Sequence, residues 1–184
     1  IEQGFGSRRY NLMYNDFVLL GPYHDPAGIA DADNISAALR LIAQAGIRFV
    51  SRGDNSGTHK AEKRFWEIED NVPAAKAGSW YIESGQGMGS TLNLAVQMQG
   101  YVLSDRATWL AFANKQNHAI LFSGDPDMFN QYGIIPISPD HCPNTYNEDG
   151  LLFTKWMISE AGQQLISAYK RGGEQLFFPN ADRF

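Results

Sequence analysis

The chain has 184 residues, 43% of them hydrophobic and 12% aromatic, which is enough apolar side chain for the core of one domain or two small lobes. Its net charge is −5 and its basic residues are scattered, which argues against a nucleic acid or an anionic membrane surface as the main partner. Cys142 is the only cysteine, so an internal disulfide and a cysteine-rich zinc site are both excluded, and the longest apolar run, Phe17 to Leu20, is far too short to cross a bilayer.

The chain opens Ile1-Glu-Gln-Gly-Phe-Gly6, with neither an initiator Met nor a basic-then-apolar leader, so processing or truncation is expected to have removed what came before. Tyr10 to Leu20 is rich in strand formers and ends at Gly21-Pro22, and His24 to Gly28 has turn chemistry. Asp33 or Asn34 can cap a helix in which Ile35, Ala38, Leu39, Ile42 and Ala43 keep helical spacing, with Gly46 at its C-terminal end. Gly46 to Val50 reads as a short buried strand, and Thr58 to Asp70 as a helix with Ala61, Phe65 and Ile68 on its apolar face.

Asn71-Val-Pro73 breaks that pattern, Trp80 to Glu83 is extended, and a glycine loop from Gly85 leads into a helix carrying Leu92, Ala95, Val96 and Met98. Tyr101 to Leu103 is a strand, Asp105 caps a helix with Trp109, Leu110 and Phe112, and Ala119 to Phe122 is another buried strand. This alternation predicts an α/β protein with a mainly parallel sheet. Tyr132 to Ile137 is a further extended run. Two helices should follow, one with Leu151, Leu152, Phe153, Trp156 and Met157 and one from Ser159 to Arg171, separated at Gly162; Gln175 to Phe178 closes the chain as a strand or packed tail.

The chemistry concentrates in Ser51-Arg-Gly-Asp-Asn-Ser-Gly-Thr-His59, where a strand turns into a helix. A helix start offers unpaired N–H groups and the positive end of a dipole. Glycines at 53 and 57 let the backbone bend toward a ligand, and the planar fork of Arg52 can hold two oxygens of a tetrahedral anion. The phosphate loop of nucleotide hydrolases is excluded: Gly53 and Gly57 are one residue too close, and Thr58-His59 replaces the required Lys-Ser/Thr. The competing account is structural, with Ser56 or Thr58 capping the helix and Arg52 paired with Asp54. Arg-Gly-Asp at 52 to 54 matches an adhesion tripeptide, but three residues recur by chance.

Gly85, Gly87 and Gly89 either supply a second set of backbone donors or form a tight turn; Gly-x-Gly-x-Gly is not the dinucleotide fingerprint. His24, His59, His118 and His141 lack paired helical spacing, and Asp31 with Asp33 lacks the glycine and glutamate of a calcium loop, so no metal site is expected. Asp125-Pro-Asp127 reads as a turn. Without a Gly-x-Ser-x-Gly elbow or a nucleophile beside a histidine, hydrolase chemistry has no carrier, and Cys142 reads as structural.

Four segments then line up with one family: Met13 to Pro22 with Asp25-Pro-Ala-Gly28, Ser51 to His59, Trp80-Tyr81 with Gly85-Gln-Gly-Met-Gly-Ser-Thr-Leu92, and Tyr101 to Thr108. In their order and spacing they resemble the tungstate-binding proteins of bacterial ABC importers. The resemblance implies a periplasmic-binding-protein type II-like α/β fold, two lobes joined by two crossing strands, with an oxyanion held in the cleft and no catalysis or catalytic cofactor. It implies Arg52 as the charge partner, Ser56, Gly57 and Thr58 as donors, and Gly87, Met88 and Gly89 as a neighbouring loop, with Asp54 orienting Arg52. Tyr14 to Gly21 would be the first crossing strand and Tyr132 to Ile137 the second.

On that pattern residues 15–135 form the second lobe, while 1–14 and 136–184 form a first lobe lacking its N-terminal part. The chain is therefore expected to be a fragment with part of the site, to bind oxyanion weakly or not at all by itself, and to leave a surface that self-association could cover. The implied ligand is tungstate, or molybdate or another tetrahedral oxyanion. The implied partner is a membrane permease, with no nucleic acid, and the implied location is the periplasm or the outer face of the cytoplasmic membrane. Two other readings stand beside this one: an oxyanion-sensing regulatory module of the same superfamily, and a phosphate-handling enzyme using the same turn.

Overall fold

A computed structural model describes residues 1–68 and 80–181. The expected break at Asn71 to Pro73, and the last residues of the helix before it, lie outside the described residues. The chain divides into two compact units, 16–129 and 1–15 with 130–184, and the long strand β1 (Tyr10–Pro22) runs through both.

The larger unit is organised by the C-terminal half of β1. Successive strand side chains point to opposite faces, so Phe17 and Leu19 enter one apolar cluster while Val18 and Leu20 enter another. On the first face lie α1 (Ile35–Ala45) and α2 (Gly57–Glu67), contributing Ile35, Leu39, Phe65 and Trp66. On the second lie α3 (Met88–Met98) and α4 (Arg106–Ala111), contributing Leu92, Ala95 and Trp109. The sheet between them has β2 (Phe49–Ser51) parallel to β3 (Tyr81–Glu83), with β2 joined to Tyr101 by Val50 N–H to Tyr101 O at 2.8 Å. β4 (Val102–Asp105) and β5 (His118–Phe122) flank β1, both antiparallel to it.

The sheet is thus mixed rather than mainly parallel. A continuous apolar run such as Phe17 to Leu20 reports burial on both faces, and says nothing about the direction of its neighbours. Helix ends, in contrast, follow local chemistry. Asn34 rather than Asp33 caps α1, accepting from Ala37 N, and Gly46 ends it at φ 63°; Asp105 caps α4 by accepting from Thr108 N. The apolar face of α2 also differs from expectation: Ile68 is exposed, and Trp66 and Glu62 are buried with Ala61 and Phe65.

The smaller unit packs Tyr10 and Leu12 of β1 against Ile158, with Met157 and Ile166 alongside. Its elements are β6 (Phe129–Ile134), α5 (Asn147–Ile158), α6 (Glu160–Ala168), the hairpin of β7 (Lys170–Arg171) and β8 (Glu174–Gln175), and β9 (Phe178–Pro179), which pairs with β1. The extended run begins and ends three residues earlier than the expected 132–137. The two helices part at Ser159, whose hydroxyl accepts from Gly162 N, and not at Gly162 itself. Gly162 is needed for a different reason: a Cβ there would sit 2.4 Å from Trp156 O. The second helix stops at Ala168, because Gly172 and Gly173, both at positive φ, turn the chain into the hairpin that contains Arg171.

Candidate functional site

β2 and β3 lie side by side and parallel, so the loops that leave them emerge at the same edge of the sheet. Each loop leads straight into a helix, β2 into α2 and β3 into α3. In open α/β sheets, the space beyond the carboxyl ends of the strands is where ligands bind. Here the two loops are also tied together. Arg52 O accepts Gly85 N–H at 2.9 Å and the Ser84 hydroxyl at 3.2 Å, and Ser51 O accepts Ser84 N–H at 2.9 Å.

The turn of residues 52–56 is held from inside. Gly53 adopts φ +61°, and a Cβ on it would stand 2.6 Å from Glu83 Cβ, so glycine is required both for conformation and for the close approach to β3. Asp54 pairs with Arg52 Nη2 at 2.5 Å and accepts from both Ser56 N–H, at 3.0 Å, and Ser56 Oγ, at 2.6 Å. The Ser56 hydroxyl, followed by its amide and by Arg52, holds the Asp54 carboxyl below the usual aspartate range. Ser56 Oγ in turn caps α2, accepting from His59 N–H at 3.2 Å.

Both features of the structural account are therefore present: Ser56 caps the helix and Arg52 pairs with Asp54. They do not use up the turn. The Nε of Arg52 is buried without a hydrogen-bond partner among the described residues, and an unpaired guanidinium donor in that setting calls for an acceptor. Ser56 has committed its proton to Asp54, so it shapes the turn while the backbone N–H groups of Gly57 and Thr58 remain the donors at the helix start.

The neighbouring loop is less occupied. Gly87 is the N-cap of α3 and no side chain caps that helix, leaving the N–H groups of Met88 and Gly89 in its first turn outside the intrahelical pattern. Met88 packs its side chain on the apolar cluster beneath, which anchors the helix start. At Gly57, Gly87 and Gly89 a Cβ would meet nothing within 4 Å, so all three open onto free space. Arg52, Ser56, Gly57, Thr58, Gly87, Met88 and Gly89 thus line one edge of one unit, and this edge presents donors.

Three residues that sequence reasoning passed over support it. Ser84 links the loops, its hydroxyl also 2.7 Å from Thr91 Oγ1. Ser51 Oγ accepts Gly53 N–H at 3.2 Å and donates to Glu62 Oε2 at 2.8 Å. Glu62 is buried at 2% exposure; burial pushes its carboxyl up, opposed by hydrogen bonds from Tyr81, Ser51 and Trp66 and by His59. A glutamate one position from Ala61 and four before Trp66, inside the apolar stripe, was the available signal.

The other candidates lie elsewhere and do other work. His118 is buried with Nε2 3.1 Å from Gly100 O, and burial lowers its pKa. His141 stacks edge-on with Phe5. Asp125 accepts from Ile35 N and Asp127 N, which is turn and capping chemistry. Among the described residues no cluster of three metal-ligating side chains occurs, and no helix is long and apolar enough to cross a membrane.

The fold and the donor-lined edge define a class, and comparison with known proteins bears it out: residues 1–161 match the family model of a PBP superfamily domain. Within that class, the chain is 39% identical to the tungstate-binding protein TupA of Peptoclostridium acidaminophilum, over 98% of this chain and 64% of that protein. It is 35% identical to the TupA of Campylobacter jejuni, over 98% of this chain and 68% of that protein. The solved structure of the tungstate-binding protein TupA from Desulfovibrio alaskensis superposes with a TM-score of 0.83 at 44% identity, covering 98% of this chain and 73% of that one. The chain belongs to the tungstate-binding protein family, a family of binding proteins rather than enzymes. It spans 54 to 68% of the length of the curated relatives it matches.

Proposed function

We propose that this chain is part of the extracytoplasmic solute-binding component of an ABC importer, and that it holds tungstate or a related tetrahedral oxyanion against the edge formed by residues 52–58 and 87–89. The unit of residues 16–129 is the second lobe in this reading, and a membrane permease is the partner that takes over the ligand. The observation that carries it is the pairing of two helix starts, α2 and α3, at the ends of two adjacent parallel strands, beside a buried Arg52 donor that has no partner among the described residues. Backbone N–H groups at such starts favour an anion through both hydrogen bonding and the helix dipole. With a net charge of −5 the protein attracts no anion from a distance, so local geometry must supply the affinity.

Amide chemical shifts followed during titration with tungstate test this directly, and remain readable when binding is weak. The shifts should move at Gly57, Thr58, Met88 and Gly89, with chloride at equal ionic strength leaving them in place. Shifts confined to other parts of the chain, or none at all, would refute the assignment.

A further inference from the structure

Behind the proposed anion edge lies a buried polar cluster that no contact of the anion itself requires. Four side chains from three elements converge on the Glu62 carboxylate. Oε1 accepts the Tyr81 hydroxyl of β3 at 2.7 Å and Trp66 Nε1 of α2 at 3.3 Å; Oε2 accepts the Ser51 hydroxyl of β2 at 2.8 Å and lies 3.9 Å from His59 Nδ1 of α2. Ser51 Oγ also lies 3.1 Å from His59 Nδ1 and accepts Gly53 N–H. Ser51 has one proton. With an ionised Glu62 that proton goes to Oε2, so Ser51 turns only lone pairs toward Gly53 and His59, and the His59 contact then requires a proton on Nδ1.

We infer that Glu62 is the positioning residue of the oxyanion turn: its buried carboxyl group, accepting on both oxygens, sets the direction of the Ser51 hydroxyl, which ties down the Gly53 amide and holds His59, in the first turn of α2, as the Nδ1–H tautomer. This deepens the oxyanion-binding assignment and rests on it for its effect on affinity. Gly53 carries the backbone directly after Arg52, and His59 follows the donors Gly57 and Thr58. The carboxylate therefore fixes both ends of the turn without touching the ligand.

Glu62→Gln is the discriminating substitution because it keeps shape and reverses polarity. The amide oxygen can still accept from Tyr81 and Trp66, while the amide nitrogen donates to Ser51. Ser51 must then donate onward, and His59 must accept on Nδ1 and carry its proton on Nε2. Long-range proton–nitrogen correlation spectra of the His59 ring read the tautomer. Wild type should show Nδ1–H and Glu62→Gln should show Nε2–H. In the tungstate titration Glu62→Gln should bind about tenfold more weakly, the low end of what supporting residues behind a ligand shell contribute.

Glu62→Met, which keeps the volume, removes the acceptor and frees the Ser51 proton for His59 Nδ1, should likewise release His59 from Nδ1–H and serves if Glu62→Gln folds poorly. Nε2–H in the wild type, an unchanged tautomer in both variants, or unchanged tungstate affinity in a variant whose tautomer has switched would overturn the inference. Failure of the wild type to bind tungstate would refute the functional assignment instead, and the tautomer measurement would still decide the positioning role on its own.

Discussion

Two glycines four residues apart in the same turn should respond oppositely to one methyl group. At Gly53 the backbone has φ +61°, and an added Cβ would lie 2.6 Å from Glu83 Cβ and 3.3 Å from Glu83 Cα. The left-handed conformation costs a non-glycine residue roughly 1–2 kcal/mol. Glu83 cannot simply swing away, since the clash is with its first side-chain atom and its strand is in register with Ser51. Forcing β3 aside adds overpacking strain of about 1–3 kcal/mol. Gly53→Ala should therefore lose roughly 2–5 kcal/mol of stability, a large share of what a domain of this size has in hand.

Gly57 is the first residue of α2, at ordinary φ, and an added Cβ meets nothing within 4 Å. Gly57→Ala should leave stability unchanged or raise it by up to about 1 kcal/mol, since alanine loses less backbone entropy in a helix. Its methyl group would stand at the open face proposed for the anion, so tungstate affinity should fall while stability holds. Urea unfolding of the two variants beside wild type measures the first difference, and titration of Gly57→Ala measures the second. A Gly53→Ala variant within about 0.5 kcal/mol of wild type would show that β3 yields freely and would refute the close-approach argument.

Arg52→Ala should weaken tungstate binding by about tenfold or more, because a charge-assisted hydrogen bond is lost; calorimetric or shift titration that finds unchanged affinity would take Arg52 out of the site. Tyr81→Phe removes one of the donors to the buried Glu62 carboxylate and should cost roughly 1–3 kcal/mol in chemical denaturation; a neutral result would mean that the cluster holds without it. Asp54 has a carboxyl depressed in the folded state, so its contribution is present above the unfolded pKa and disappears as pH falls through the folded one. Amide exchange at Ser56 and His59 should accordingly stay slow down to about pH 4 and quicken below it. Loss of protection starting near neutrality would point to a different group.

Much of the larger unit was legible in the residues. Helical spacing and caps located α1 and α4, and the strand formers from Tyr10 to Leu20 announced β1. Position at a strand-to-helix turn singled out residues 52–58 and 87–89. What escaped is instructive. Strand direction is not legible in the residues, because burial is the same for parallel and antiparallel neighbours. Low helix propensity points to Gly162 as the break between α5 and α6, but Ser159 is the better cap and Gly162 is there for packing.

The division of labour has a physical basis. The sequence by itself determined what depends on neighbours along the chain: amphipathic periodicity, capping, the glycines of the two loops and the choice of Arg52 within one of them. Only the tertiary structure decided what depends on pairing across space. It set β2 beside β3 so that two helix starts share an edge, left Arg52 Nε buried without a partner among the described residues, and gathered Ser51, His59, Glu62, Trp66 and Tyr81 from three elements into one network. Periodicity measures which way a side chain faces. It carries no record of which other side chain will be waiting there.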